Sequence, residues 1–448
     1  MKYALLCTLA IMASSLFAAS EPIKNTVDEQ SLKAFSSTAY PKQVTEIIPN
    51  KVYHVMGYAH SNASFIIGDT SVILIDTLDS ESRAMTLKKI IAEHTNKPVK
   101  TIIYTHGHPD HRGGAGVFMD TAPEIIAAAP LKPVLGKMNA LKEVFDLRSI
   151  RQHGYQLSDE EALSQGIGIR EGITTKQGDK QVFVAPTTVL TERKVVREID
   201  GVTFELSGVL GETDDHLLIW LPTYKVLFSG DNYYGCWPNI SPIRGGQYRD
   251  ISAWIDTLEK MLSYNAKYVL PGHTRPLMGE SNVKEVLTNY HDAIEFVFNE
   301  TLKSINQGLS IDQVAEVVKL PEKWAKLPYL GEYYGTVEWT VRGIFTGYMG
   351  WFDENPTKLH PLPAKEHAKK TLALMGGKKA VIVAIQDALK KRDAQWAIEL
   401  ADIILAIESN HKAVKQYKAQ GLIILAQKET SANGRHYYFA YAKELLAD

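Results

Sequence analysis

The seven residues Thr105-His106-Gly107-His108-Pro109-Asp110-His111 hold four potential metal ligands in the order His-x-His-x-Asp-His. Imidazole nitrogens and carboxylates are the usual ligands of zinc and similar borderline cations. His106 and His108, two residues apart, can reach one ion together, and Asp110 and His111 can turn to a second. A polar loop that happens to be rich in histidine is the bland alternative. The density of ligands at the end of an apolar run, Thr101 to Tyr104, argues against it: such a run reads as a buried strand, and Gly107 and Pro109 force a loop where it stops. A two-metal site needs further ligands from distant strand ends, and three stand out. Glu212 lies in Gly211-Glu212-Thr213 just before a strand, Asp231 follows Ser229-Gly230 at the end of one, and His273 closes Pro271-Gly272-His273 at the end of another. Alone, each would be a routine polar loop residue.

The elements that must position these groups read as alternating strands and helices. Val52 to Met56 is a short strand. Ser64 to Ile67 and Val72 to Asp76 form a hairpin about Gly68-Asp69. Ser80 is placed to cap a helix reaching His94, with Met85, Leu87, Ile90 and Ile91 on its apolar face. Residues 21 to 45 are polar and read as an arm over the domain. The segment from Gln156 to Lys180, rich in Gly, Glu and Ser, reads as an insertion over the site or a substrate loop. Val195–Ile199 and Val202–Leu206 flank Asp200-Gly201, a strong hairpin turn. His216 to Leu221 and Lys225 to Phe228 make another hairpin. A helix follows over about 252–262, with Trp254, Leu258, Met261 and Leu262 on one face. Lys267 to Leu270 is then a strand ending at His273. From about residue 283 the pattern turns helical. Ser310 caps a helix to Leu320, and Asp393 caps one whose stripe is Trp396, Leu400, Ile403, Ile404 and Ile407. Val414, Tyr417, Ile424 and Leu425 mark the next.

At 448 residues, with 45% hydrophobic and 22% charged residues, the chain has the composition of a globular protein of two or three domains. A formal charge of −2 provides no electrostatic footprint for nucleic acid. Lys2, the apolar run from Ala4 to Phe17 and the small residues Ala18-Ala19-Ser20 read as a secretory signal at 1–20, too short for a comfortable membrane span. This predicts a periplasmic or secreted protein with no membrane span once the signal is cleaved. Cys7 would leave with it, so Cys236 would be the remaining cysteine and no intrachain disulfide would form.

The ligand pattern resembles that of the metallo-β-lactamase superfamily, whose signature is His-x-His-x-Asp-His, then His or Glu, then a bridging Asp or Glu, then His. The resemblance implies an αββα sandwich with two zinc ions per chain. One ion would use His106, His108 and Glu212, and the second Asp110, His111 and His273. Asp231 would bridge them, and Asp110 and Asp231 would be the catalytic carboxylates about the reacting water. Two ions a few ångströms apart can hold and acidify a water between them. Glu at 212, where most members have His, looks like the alkylsulfatase branch. So does the stretch from Asp231-Asn232 through Pro238-Asn239-Ile240 to Ile243-Arg244-Gly245, in which an Asn and an Arg hold the sulfate; here these are Asn239 and Arg244. Arg presents a planar fork of donors to an oxyanion and stays charged. Tyr333-Tyr334-Gly335-Thr336, Gly350-Trp351-Phe352-Asp353 and Leu359-His360-Pro361-Leu362-Pro363 resemble the segment that follows the catalytic domain in alkylsulfatases, and Ala394 to Leu400 looks like their dimerisation domain. Tyr334 is a candidate to line the substrate cleft.

The organisation expected is therefore a signal at 1–20, a metallo-β-lactamase-like catalytic domain at 21–282, and an all-α dimerisation domain at 283–448. The function implied is that of a secreted dinuclear zinc hydrolase of alkyl sulfate esters, acting as a homodimer on a small anionic sulfate ester. The alternative within the same fold is hydrolysis of another ester, lactam or phosphoester. The chain departs from the branch in four places. The bridging acid is Asp231, in Gly230-Asp231-Asn232, in place of a Glu in Ala-Glu-Asn. Gly211-Glu212-Thr213-Asp214-Asp215 replaces Thr-Glu-Ala-Pro. Trp339-Thr340 and Phe345 stand where a His-Asn and a Tyr are usual. The chain also ends where the branch usually adds a sterol-carrier-like domain, which predicts poorer use of long alkyl chains.

Overall fold

The computed structural model describes residues 27–133 and 135–447. The expected signal at 1–20, with Cys7, lies outside the described residues. Two β-sheets face one another. The first is ordered sequentially as β1 (Gln43–Ile48), β2 (Val52–Met56), β3 (Ala63–Ile67), β4 (Val72–Ile75), β5 (Val99–Ile103), β6 (Glu124–Ala128) and β7 (Thr188–Leu190). Its first four strands are antiparallel and the rest join in parallel. The second contains β8 (Lys194–Ile199), β9 (Val202–Val209), β10 (His216–Leu221), β11 (Val226–Gly230), β12 (Tyr268–Pro271) and β13 (Leu277–Met278), again in sequential order. Only β11 and β12 pair in parallel there. The hairpins expected about residues 68, 200 and 222 all form.

Helices cover both outer faces. In chain order the longer ones are α1 (Val27–Ala39), α2 (Glu81–His94), α3 (Lys142–Gln152), α4 (Ile251–Ser263), α5 (Glu280–Asn306), α6 (Ile311–Val317), α7 (Val337–Met349), α8 (Ala364–Leu374), α9 (Lys378–Lys390), α10 (Ala394–Leu405), α11 (Lys412–Ala426) and α12 (Ala432–Ala447). The period-2 alternation of strand side chains sorts the layers. Ile73 and Ile75 of β4 point between the sheets, where they meet Ile66, Ile103, Leu217, Ile219 and Phe228. Val72 and Leu74 point outward and pack with Leu87, Ile90 and Ile91 of α2. Leu218, Trp220 and Leu227 leave the other side of the second sheet and join Trp254, Leu258 and Met261 of α4. The result is an αββα sandwich. Its second helical layer runs on through α5, α6 and α7, which share the core of the second sheet. A separate apolar core forms among α9, α10 and α11 around Val381, Ile385, Leu400 and Ile404. Among the described residues no helix is long and apolar enough to cross a membrane.

Several local expectations need correction. The polar stretch at 21–45 is not a loose arm: from Val27 it is α1, followed by β1, and Phe35 of α1 stacks on Tyr333 with ring centroids 4.0 Å apart. Ser80 precedes α2 but does not cap it; its hydroxyl donates to Asp179 at 2.8 Å. Met85 is half exposed, and Ala84 takes its place on the buried face. Ser310 does cap α6, in a reciprocal box with Gln313, but the helix ends at Val317 because Val318 turns extended. Trp396 is 46% exposed, since the buried stripe of α10 is Ala397, Leu400, Ala401 and Ile404. Asp393 precedes α10 without a side-chain cap bond. The segment from Gln156 to Lys180, expected as an insertion over the site or a substrate loop, is packed against α12. Arg435 of α12 donates to the Glu161 carbonyl at 2.8 Å, and His436 bonds the carbonyls of Gln152 and Ala162, both at 2.9 Å.

Candidate metal centre

All seven expected ligands converge at one edge of the sandwich. β5 runs into the His106–His111 loop, Gly211-Glu212 joins β9 to β10, and Asp231 and His273 follow the adjacent parallel strands β11 and β12. Side-by-side parallel strands deliver their C-terminal residues to a common crevice, which is why residues so distant in sequence meet here. Two groups form. His106, His108, Glu212 and Asp231 place one ligand atom each within 4.8 Å of one another, and so do His111, Asp231 and His273. Asp231 belongs to both. His106 Nε2 and His108 Nδ1 lie 3.5 and 3.2 Å from Glu212 Oε2. Asp231 Oδ1 is 3.3 Å from His111 Nε2, and Asp231 Oδ2 is 3.1 Å from His273 Nε2. Asp110 Oδ2 is 3.3 Å from both His111 Nε2 and His273 Nε2.

These separations match ligand atoms that each lie about 2.1 Å from a shared zinc-like ion. His111 Nε2, Glu212 Oε2 and Asp231 Oδ1 are buried with no hydrogen-bond partner. Buried polar atoms are almost always paired, so three orphans aimed at one space are the mark of a cation site. The donor set fits metal ions in two adjacent positions.

The charge balance points the same way. Burial alone would raise the carboxyls of Asp110 and Asp231, yet His111 and His273 beside them hold both well below the usual carboxylate range. Burial would likewise lower both histidines, but Asp231 and Asp110 push His273 up to about 10 and hold His111 well above its ordinary value. His106, buried and facing the charge on His111, sits well below the ordinary histidine range. Without a cation, protons on two imidazoles neutralise the carboxylates. A metal ion would displace them.

Residues outside the expected set hold the ligands in place. Asp76, just past β4, accepts from Thr105 N and Thr105 Oγ1 at 2.8 Å and pairs with His111 Nδ1 at 2.9 Å, so His111 Nε2 faces the site. His273 Nδ1 donates to the His60 carbonyl at 2.9 Å, which fixes its tautomer in the same sense. Asn232 Oδ1 accepts the Glu212 amide at 3.1 Å. Arg249 Nη1 lies 2.8 Å from Glu212 Oε1 in a buried ion pair, leaving Oε2 for the histidines. His216 stacks on His106 with ring centroids 4.7 Å apart. Gly230, at φ +50°, leaves room for His216: a Cβ there would lie 2.4 Å from its Nε2. Of these, Asp76 carried a sequence signal as the polar end of an apolar strand.

The expected substrate residues are placed unequally. Arg244 lines a cleft of about 340 Å³ with Gly107, His108, Arg112 and Glu212. Its Nη2 is 3.5 Å from His108 Nε2, and among the described residues no carboxylate lies within ion-pair distance of it. Its backbone is tied to α3, since Arg244 N donates to Gln152 Oε1 at 2.9 Å. Asn239 is buried behind this cleft: its amide donates to Tyr234 Oη at 2.7 Å, Arg249 donates to its carbonyl, and its Oδ1 has no partner. Tyr334 is 6% exposed and packs edge-on against Tyr234, in a cluster with Ile167 and Cys236.

The same architecture occurs in known proteins. The metallo-beta-lactamase superfamily model matches residues 56–273, and the alkyl sulfatase dimerisation model matches residues 310–448. A linear primary-alkylsulfatase of Pseudomonas sp. (strain ATCC 19151) is 34% identical over 390 residues, which is 84% of this chain and 72% of that protein. The chain belongs to the alkylsulfatase family. An alkyl/aryl-sulfatase of Saccharomyces cerevisiae is 30% identical over 89% of this chain and 63% of its own length. The solved structure of a stereoselective inverting sec-alkylsulfatase from Pseudomonas sp. superposes with a TM-score of 0.84 at 28% identity, covering 94% of this chain and 69% of that one. As a family member the chain is a metallo-β-lactamase-fold hydrolase of the class that acts on sulfuric esters. The expected sandwich followed by a helical region matching the dimerisation domain holds.

Proposed function

We propose that the chain hydrolyses alkyl sulfate esters at a pair of zinc ions, as a homodimer exported to the periplasm or beyond. The observation that carries this reading is the juxtaposition, in the adjoining cleft, of two ligand groups sharing Asp231 with Arg244, which has no carboxylate partner among the described residues. His106, His108 and Glu212 would hold one ion, Asp110, His111 and His273 the other, and Asp231 both. When bound, the ions supply Lewis acidity and a water acidified toward neutral pH. The protein does the rest. Arg244 offers its guanidinium to the sulfate oxygens, charge-assisted and with no internal carboxylate to compete. Asn239 backs that wall, while Arg249 holds Glu212 and Asn239 in register. A second cleft of about 440 Å³, sharing Pro242 and residues 246–249 with the first and lined by Tyr248 and Trp339, suits the organic group. Export rests on the charged and apolar opening of the chain, and dimerisation on the match of the helical region to the dimerisation model.

The test is sulfate release by zinc-loaded protein from short and long alkyl sulfates, with nitrocefin and a phosphodiester in parallel. Sulfate release that falls on Arg244→Ala by about 10²–10³, the usual loss for one preorganised donor to a reacting oxyanion, with zinc content intact, is the expected result. Turnover of nitrocefin or the phosphodiester without sulfate release would overturn the assignment.

A further inference from the structure

Among the described residues the His60 ring makes no hydrogen bond, and the residue lies buried beside the metal-ligand cluster. The residue is 3% exposed, and its Nδ1 is buried without a partner. Its Nε2 lies 4.0 Å from Asp110 Oδ2, too long for a hydrogen bond, and its ring centroid is 4.9 Å from that of His273. Other buried histidines differ. His54 Nδ1 bonds Ser64 at 2.8 Å, His216 Nε2 bonds the Ser229 carbonyl at 3.0 Å, and both nitrogens of His436 bond carbonyls. The backbone of His60, in contrast, is fully committed. Its amide donates to Asp79 Oδ2 at 2.8 Å, and its carbonyl accepts from His273 Nδ1 at 2.9 Å. Gly168 presses on that carbonyl so closely that a Cβ would sit 1.9 Å from the oxygen. The main chain thus holds the ring at the site, and among the described residues no group hydrogen-bonds either of its nitrogens.

The ring is aimed at two groups already assigned to an ion. His60, Asp110 and His273 place one ligand atom each within 4.8 Å of one another. Two atoms that each sit about 2.1 Å from a zinc ion can be at most about 4.2 Å apart, and the 4.0 Å between His60 Nε2 and Asp110 Oδ2 falls inside that limit. We propose that His60 is an eighth metal-binding side chain, adding a third imidazole to the ion held by Asp110, His111 and His273. This rests on the two-metal reading above and deepens it. The second position then has three imidazoles and a carboxylate besides the shared Asp231, against two imidazoles and Glu212 at the first. The richer donor set makes the second position the one that keeps its ion longest against a chelator.

The test uses the full-length protein and metal alone. His60→Leu keeps the backbone amide and carbonyl and removes only the ring. Wild type is expected to retain two zinc equivalents, and the variant to bind one of them at least tenfold more weakly in chelator competition. In the Co²⁺-loaded proteins, a hyperfine-shifted exchangeable imidazole resonance present in wild type should be missing from the variant. Should the variant fail to fold, judged by circular dichroism in excess EDTA, the wild-type Co²⁺ spectrum still decides. Five ligating imidazoles support the proposal, and the four of His106, His108, His111 and His273 alone overturn it. Two ions held equally well by both proteins, with identical spectra, overturn it while leaving the dinuclear reading intact. Failure of wild type to bind any ion would overturn both.

Discussion

Replacing Arg249 by Met should destabilise the metal-free protein far more than the zinc-loaded one. Arg249 Nη1 and Glu212 Oε1 are 2.8 Å apart, and the two side chains are only 6% and 4% exposed. The remaining neighbours of the carboxylate are His106, held well below its ordinary range, and His108, whose Nδ1 lies 3.2 Å from Oε2. Removing the guanidinium therefore leaves a buried carboxylate with no permanent cation beside it. Breaking a buried pair in this way costs about 3–5 kcal/mol, because the surviving charge keeps its desolvation penalty. At roughly 2–4 °C per kcal/mol for a large domain, the melting point in EDTA should fall by about 6–20 °C. With zinc present, the ion bound by Glu212 Oε2 takes over the compensation. What remains is the lost bond to the Asn239 carbonyl, worth about 1 kcal/mol, plus any packing defect. Differential scanning fluorimetry of both proteins, with EDTA and with zinc, reads the difference directly. Equal shifts under the two conditions would refute the reasoning, since they would make Arg249 a packing residue rather than the counter-charge of Glu212.

Asp76→Asn keeps a side chain tolerated at φ +59° but removes one of the acceptors serving Thr105 and His111, so zinc affinity should fall about 10–100-fold, measured by competition with a chromogenic chelator. Zinc binding should strengthen as pH rises through neutrality. His111 and His273 have raised values in the metal-free site, so they hold protons at pH 7 that a metal must release. Calorimetry in buffers of different ionisation enthalpy should show that release, and an affinity unchanged between pH 6 and 8.5 would contradict it. The same shift has the opposite sign for the metal-free fold. The stability contributed by His273 is fully present below the ordinary histidine value and lost as pH climbs toward about 10, so melting in EDTA should be higher at pH 6 than at pH 10. Gly230→Ala should lower stability by about 2 kcal/mol or more in chemical denaturation, because the residue is at φ +50° and its Cβ would collide with His216 Nε2.

The candidate ligands were legible in the sequence for a physical reason that does not extend to the residues supporting them. His106, His108, Asp110 and His111 are crowded into one loop, and Glu212, Asp231 and His273 each fall where an apolar run stops. Strand ends are visible in a sequence because burial on both faces leaves an uninterrupted apolar run. His60, Arg249 and Asn232 have no such marker. Each acts through a contact whose partner lies 20 to 213 residues away: Asn232 with the Glu212 amide, Arg249 with Glu212, and the His60 carbonyl with His273. A helical stripe is ambiguous in another way. Met85 and Trp396 fit a period of 3.6 as well as their buried neighbours Ala84 and Ala397 do, and only the facing layer decides which residue is covered. Polarity misleads at 27–39, where Ser31, Lys33, Ser37 and Thr38 face outward while Leu32 is fully buried, Glu29 pairs with Arg435 and Phe35 stacks on Tyr333. Sequence therefore reveals the groups that would touch a metal. The groups that set its charge and geometry, Arg249 foremost, become visible only when the sandwich closes and brings β5 and the loops after β9 and β11 to one edge.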